Sequence, residues 1–334
     1  MRFLVVGTGS IGTRHARNLL ALGHEVSGWD TLPEQLDLAL RTVPGLIAAA
    51  GLDLGLAARP EAVLVCTPPA THVTVARQAV EAGCHVFVEK PVAHLSDEVP
   101  ALLDTAKRAG RLFAVGFNLR FLPSLCRVKA LLDAGRIGRV HSATAHSASA
   151  RFGFFLPAWR AERDYEDNYA VSAAQGGGVL LDAIHELDYL GWFFGEAAEI
   201  CCAAGHVSAL AGDTEDLAEV TVRFASGVLA QVHLDYLRRV YRRDLEVIGA
   251  DGVITWDYAS RAVTVLGPEP DRVEVLGTSD DGPNENMYVA ELEHFIACLE
   301  GREEPLADGW EALRSLRMVE AAKRSDAERR WVSL

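Results

Sequence analysis

The chain has 334 residues, long enough for two domains, and 49% of them are hydrophobic, ample for two cores. Lys and Arg together number 32 against 46 Asp and Glu, a net charge of −14, which argues against nucleic acid or an anionic membrane surface as a partner. No apolar stretch reaches the ~20 residues that span a bilayer, the N-terminal apolar run is too short for a signal peptide, and the six cysteines form no C-x-x-C pair, a pattern that fits reduced thiols in a cytoplasmic protein.

Residues 2–6 read as a buried strand and lead into Gly7, Gly9 and Gly12 in G-x-G-x-x-G spacing, followed by helical periodicity over 11–22. Gly7 permits the tight turn, Gly9 lets a pyrophosphate approach the backbone, and Gly12 lets the helix pack close to the sheet. Ser10 and Ile11 open that helix, whose free N–H groups and positive dipole end attract phosphate. A second strand, 24–29, ends in Asp30, 18 residues after Gly12 and near the ~20 expected for the acid that holds the adenosine ribose. A carboxylate there accepts from a 2′-hydroxyl and repels a 2′-phosphate. Residues 31–36 contain no Arg or Lys to neutralise that phosphate, so NAD is expected in preference to NADP.

Helices are predicted at 33–42, 70–82 and 96–109, alternating with strands at 62–66, 85–88 and 112–116, an alternation that implies a parallel sheet covered on both faces. Glu89, Lys90 and Pro91 close one of these strands, at the carboxyl end where such sheets bind ligands, and Pro91 restricts the backbone of Lys90. Lys90 is therefore a candidate neighbour of the nicotinamide. Asn118 and Arg120 follow the last strand and are expected to face the same crevice, although a surface salt bridge also accounts for Arg120.

The pattern then changes. Pro123 begins a further helix, and alternating segments follow at 137–149, 214–224, 227–236, 243–249, 252–257 and 262–266, with hairpin signals at Ala225-Ser226-Gly227 and Ala250-Asp251-Gly252. Helices are predicted over 178–194, 286–300 and 309–323. The expected architecture is α/β: an N-terminal Rossmann dinucleotide-binding domain over 1–120, then an α+β domain over 121–334 with a large, mostly antiparallel sheet. Trp159, Arg160 and Tyr165 fall in a long irregular stretch, where aromatic faces suit a sugar ring and the arginine an anion; a plain surface loop fits equally. Gly176-Gly177-Gly178 precede Asp182 and His185, which share a face if the helix is continuous and then form a base with an orienting carboxylate. A metal is disfavoured, because His185-Glu186 begins like H-E-x-x-H but Tyr189 takes the second His position. Arg238, Arg239, Arg242 and Arg243 form a basic cluster, read as a solvated edge, a subunit contact or an anion grip.

Taken together, the fingerprint with its Arg14-His15 tail, Cys66-Thr67-Pro68-Pro69-Ala70-Thr71-His72, Glu89-Lys90-Pro91, Gly116 to Phe121 and the glycine-rich approach to Asp182 and His185 resemble the glucose–fructose oxidoreductase / inositol dehydrogenase / MocA family. The resemblance covers nearly the whole chain. It implies Lys90, Asp182 and His185 as the catalytic group. It also implies a cofactor loop that includes Cys66, Thr67, Pro68 and His72, with Glu89 beside Lys90, and a homodimer or homotetramer formed through the C-terminal sheet. One departure is the spacing of the acid and histidine: many members place them four apart, here the interval is three, and Glu186 holds the four-apart position.

The reading is an NAD-dependent dehydrogenase that moves a hydride between the cofactor and a secondary hydroxyl or ketone of a sugar, sugar derivative or cyclitol. His185 takes the proton and Lys90 stabilises the reacting oxygen, or Lys90 carries the proton with His185 in support. The alternatives are an NAD-dependent glycosidase acting by transient oxidation and elimination, and a non-catalytic NAD-responsive regulator.

Overall fold

The apolar run that opens the chain becomes the middle of a parallel sheet. Phe3, Leu4, Val5 and Val6 of β1 (Arg2–Val6) are all but inaccessible to solvent, as a strand covered on both faces must be. The remaining strands are β2 (Glu25–Trp29), β3 (Ile47–Ala48), β4 (Ala62–Val65), β5 (His85–Glu89) and β6 (Phe113–Gly116). They join β1 in the order β3-β2-β1-β4-β5-β6, all parallel. Between them run α1 (Ser10–Ala21), α2 (Pro33–Thr42), α3 (Leu52–Ala57), α4 (His72–Glu81) and α5 (Val99–Arg108). The strand order reverses between β1 and β4, so the carboxyl ends of those strands flank the crevice where doubly wound sheets bind ligands. The computed structural model describes residues 1–148, 169–268, 273–276 and 282–334.

Beyond β6 come α6 (Pro123–Asp133), β7 (Val140–Ala148), α7 (Val179–Asp182), α8 (His185–Phe194) and β8 (Ala197–Gly205). They are followed by β9 (Leu217–Phe224), β10 (Leu229–Asp235), β11 (Arg242–Gly249), β12 (Gly252–Asp257), β13 (Val263–Leu266) and β14 (Val273–Leu276). Two long helices, α9 (Asn286–Leu299) and α10 (Gly309–Glu328), precede a last short strand, β15 (Val332–Ser333). The nine strands run β14-β13-β12-β11-β7-β10-β9-β8-β15. Every neighbouring pair is antiparallel except β7 with β10, so the sheet is mostly antiparallel as expected. Helices α6, α7 and α8 pack against it. Among the described residues, no helix is long and apolar enough to cross a membrane.

Two compact units result, residues 1–118 with 285–313 and residues 119–284 with 314–334. The sequence reading assigned everything after residue 120 to the second domain, yet α9 belongs to the first unit. Its Leu292, Phe295 and Ile296 join Phe3, Leu64 and Phe87 in one core, and the Phe87 and Phe295 rings meet edge to face at 5.4 Å. The expected single helix over 178–194 is two helices, α7 and α8, which break at Ala183 and Ile184. Four strands escaped the sequence pattern: β3, β8, β14 and β15. β8 is built largely of Ala and Cys, with Ile200 its one β-branched residue and no aromatic to signal a strand, and β3 is only two residues long.

On the side of the large sheet opposite its buried residues, titratable groups line up across neighbouring strands. Glu219 of β9 faces His233 of β10, His233 faces His146 of β7, and His146 faces Asp244 of β11. His233 bonds Glu219 at 2.6 Å and Asp235 at 2.7 Å, and His146 bonds Asp244 at 2.8 Å. Partial burial opposes the charged form of His233, but the hydrogen bonds to Glu219 and Asp235 outweigh it and raise its pKa.

Two expectations follow from this packing. Phe295→Ala leaves a cavity between α9 and the parallel sheet and lowers stability by about 3–5 kcal/mol, measured by urea denaturation; a loss under ~1 kcal/mol contradicts the packing of α9. Because the His233 pKa is raised in the folded state, its stabilisation is complete below the unfolded value, near 6.5, and fades as pH rises through the folded one. His233→Asn therefore costs more melting temperature at pH 5.5 than at pH 8.5, and equal losses at both contradict the pairing.

Candidate active site

In the first unit the fingerprint loop is closed against its surroundings at two glycines and open at the third. Gly7 has φ +90°, a conformation that L side chains rarely adopt, and a Cβ there would lie 2.7 Å from the Cys66 carbonyl. A Cβ on Gly12 would run into the Gly7 carbonyl oxygen. At Gly9, by contrast, no atom lies within 4 Å of the Cβ position, so the crest of the loop is bare backbone that a bulky anion can approach. No side chain caps α1, which leaves the N–H groups of its first turn, Ser10, Ile11 and Gly12, without a side-chain acceptor. These features fit a pyrophosphate.

Asp30, just past β2, is tied to the same loop. Its Oδ2 accepts the Thr8 N–H at 2.6 Å and the Thr8 hydroxyl at 3.2 Å, and Oδ1 accepts the Leu32 N–H at 3.0 Å. A carboxylate has about four acceptor positions, so one remains for a ribose hydroxyl.

The Cys66–His72 segment supports this crevice from β4. The Cys66 thiol is buried, and burial together with the charges of Glu89 and Glu291 pushes its pKa well up, so it stays protonated and inert. The Thr71 hydroxyl lies 2.7 Å from that of Thr67. His72, expected among the cofactor contacts, is buried with its ring nitrogens 2.7 Å from the Thr67 carbonyl and 2.8 Å from the Pro91 carbonyl; the imidazolium donates to both, the neutral ring to one of them. It clamps the Thr67-Pro68 turn to the segment after Lys90. Burial lowers its pKa while the two carbonyls oppose that shift.

Glu89, also expected at the cofactor, is buried. Its Oε1 lies 2.6 Å from His15 Nε2, and its Oε2 accepts the Lys90 N–H at 3.2 Å. Lys90 itself is half-buried at the carboxyl end of β5. Asn118 is buried two residues past β6, with its Oδ1 lacking a partner. Sequence reasoning missed Glu291. Its 2% exposure places it within the apolar stripe of Met287, Leu292 and Phe295 on α9, and a carboxylate at helical spacing inside such a stripe was the available signal.

In the second unit Gly178, with φ +105°, leads directly into α7. The Glu215 side chain accepts the Leu180 N–H at 3.2 Å, capping this one-turn helix. Asp182 ends α7 and His185 begins α8, and each is only 6% exposed. The Tyr169 hydroxyl donates to Asp182 Oδ1 at 3.3 Å. Because the helix breaks between them, the shared face expected from a continuous i, i+3 spacing does not apply.

Arg120 was expected to meet substrate. It is instead buried in a two-pronged ion pair with Asp188, Nε to Oδ2 and Nη2 to Oδ1, both 2.9 Å, and Ser315 adds a hydrogen bond to Asp188 at 3.1 Å. That geometry uses the guanidinium for structure. Glu186, at the four-apart position, is fully buried and pairs with Arg243 at 2.8 Å, which commits it to the sheet. The arginine cluster therefore splits: Arg243 points inward, Arg242 pairs with Asp244, and Arg238 and Arg239 are exposed. Trp159, Arg160 and Tyr165 lie outside the described residues.

Comparison with known proteins places both halves of the chain. Residues 1–117 match the NAD-binding Rossmann-fold model of the Gfo/Idh/MocA oxidoreductase family, and residues 129–334 match its C-terminal alpha/beta domain. Myo-inositol 2-dehydrogenase of Thermotoga maritima is 31% identical, with 100% of this chain and 98% of that one covered. Inositol 2-dehydrogenase of Rhizobium meliloti is 28% identical over 100% and 99%. The fold is shared with levoglucosan dehydrogenase, solved with NADH and levoglucosan, at a TM-score of 0.87, 21% identity and coverage of 100% and 99%. With both family domains matched end to end and its glycine loop open for a dinucleotide, the chain belongs to the Gfo/Idh/MocA oxidoreductase family and is a nicotinamide-dependent dehydrogenase acting on CH–OH groups.

Proposed function

We propose that the protein oxidises a secondary hydroxyl of a cyclitol or sugar and prefers NAD to NADP. The observation that carries the cofactor preference is Asp30, immobilised by Thr8 and Leu32 and followed by six residues without a cation. The full-length similarity to two inositol 2-dehydrogenases supports a cyclitol or sugar substrate and favours net oxidation over elimination or pure regulation. Two further readings follow the family resemblance: copies associate through the nine-stranded sheet, and the six free cysteines suit a reducing cytoplasm.

When bound, a nicotinamide would supply the hydride acceptor for the carbinol carbon. Gly7 to Gly12 would hold its pyrophosphate, and Asp30 would accept from its ribose. The Lys90 ammonium donates to the reacting oxygen and stabilises the negative charge that develops there. His185 takes the hydroxyl proton, since an imidazole titrates near the operating pH. Asp182 orients that imidazole or receives a neighbouring substrate hydroxyl. His72, Glu89 and Arg120 act by positioning.

Asp30→Ala is expected to weaken NAD binding and narrow the gap to NADP, read by titrating both cofactors against nicotinamide fluorescence; tighter NADP binding by the unaltered protein overturns the preference. Lys90→Met and His185→Asn are each expected to lose roughly 10²–10⁴ in kcat, with much smaller changes in NAD affinity. Stopped-flow formation of NADH, with myo-inositol first in a panel of cyclitols and sugars, checks this. Near-normal hydride transfer by His185→Asn moves the proton to Lys90.

A further inference from the structure

Behind Lys90 the first unit encloses more acid than its visible partners neutralise. His15, Glu89 and Glu291 are all buried, and one ligand atom from each lies within 4.8 Å of the other two. Glu89 is satisfied by His15 and by the Lys90 N–H. Glu291 is not: both of its oxygens lack a hydrogen-bond partner at 2% exposure. The groups facing it come from four elements. His15 lies on α1, Cys66 follows β4, Glu89 ends β5, and Tyr288 precedes it by one turn on α9. The Arg14 guanidinium is placed over the Tyr288 ring at 4.3 Å, and among the described residues no cation forms an ion pair with Glu291. A buried carboxylate without a cation neutralises by binding a proton, and a second carboxylate alongside strengthens that tendency. Burial and then the charge of Glu89 raise the Glu291 pKa well above the ordinary carboxylate range. A divalent cation shared by His15 and Glu89 would keep their ligand atoms about 3 Å or more apart, whereas they stand at 2.6 Å, a direct hydrogen bond.

We propose that Glu291 is a positioning residue for Lys90: Glu291 and Glu89 hold one proton between their carboxyl groups, directly or through one water, and so fix the end of the strand that carries the lysine. This rests on the role given above to Lys90. Loss of that proton leaves two buried negative charges facing each other, and the repulsion acts on Glu89, whose Oε2 holds the Lys90 backbone.

The test compares the full-length wild type with Glu291→Gln, which mimics the protonated acid, and Glu291→Leu, which removes hydrogen bonding. Infrared spectra of the wild type should contain a protonated-carboxyl C=O band that shifts in D₂O and is missing from Glu291→Gln. Because a carboxyl with a raised folded pKa loses stabilisation as pH climbs above the unfolded value, the wild-type melting temperature should fall relative to Glu291→Gln between about pH 5 and pH 9. Both readouts are independent of turnover, so they stand even if the dehydrogenase reading fails. In hydride transfer, Glu291→Leu should lose about 10–100-fold, Glu291→Gln should recover most of it, and the alkaline limb of the wild-type rate profile should be displaced in Glu291→Gln. A missing band, parallel melting curves, Gln as poor as Leu, or one equivalent of a divalent metal bound by the wild type and lost in Glu291→Gln overturns the proposal.

Discussion

One buried carboxylate ties together the two motifs on which the site depends. Glu89 is 74 residues from His15, and their 2.6 Å contact joins the fingerprint helix to the strand that delivers Lys90. The other oxygen of Glu89 holds the Lys90 N–H. A charged acceptor inside a protein makes hydrogen bonds roughly twice as strong as neutral ones, and leaving such a group unpaired costs several kcal/mol. The glycine loop and the lysine are thus held as one preorganised body. His72 adds a second link, its ring wedged between the Thr67 and Pro91 carbonyls at 2.7 and 2.8 Å, which packs the turn after β4 against the turn after β5.

The second unit fixes His185 by the same physics with different partners. His185 opens α8, and the same first turn carries Glu186 and Asp188, each buried in an ion pair, with Arg243 and Arg120 respectively. Removing one partner of a buried pair typically costs 3–5 kcal/mol, because it strands the other charge. The sheet and the turn that precedes α6 therefore dictate the orientation of α8, and His185 inherits it. An arginine placed beside a site in sequence can serve the frame rather than the substrate, as Arg120 does.

Local chemistry made much of this legible in advance. The strand–glycine–helix opening, the position of Asp30, the Pro123 helix start and the hairpin turns all follow from rules acting over a few residues. What stayed hidden was set at long range. Arg120 finds Asp188 across 68 residues and Glu186 finds Arg243 across 57, and no spacing rule announces such partners. The break between α7 and α8 was invisible because Ala183 and Ile184 carry no helix-breaking signal. α9 was recognised as a helix, but its return to the first unit depends on which core its apolar face covers, which periodicity does not encode.

The His15–Glu89 contact couples the fingerprint helix to the strand that carries Lys90. A double-mutant cycle on hydride transfer with His15→Phe and Glu89→Gln tests it most directly. If the contact is the coupling, the double variant is scarcely worse than the weaker of the two singles, with an interaction energy of about 0.5–3 kcal/mol. Strictly additive losses in hydride transfer would mean that the two residues act independently and would contradict the account.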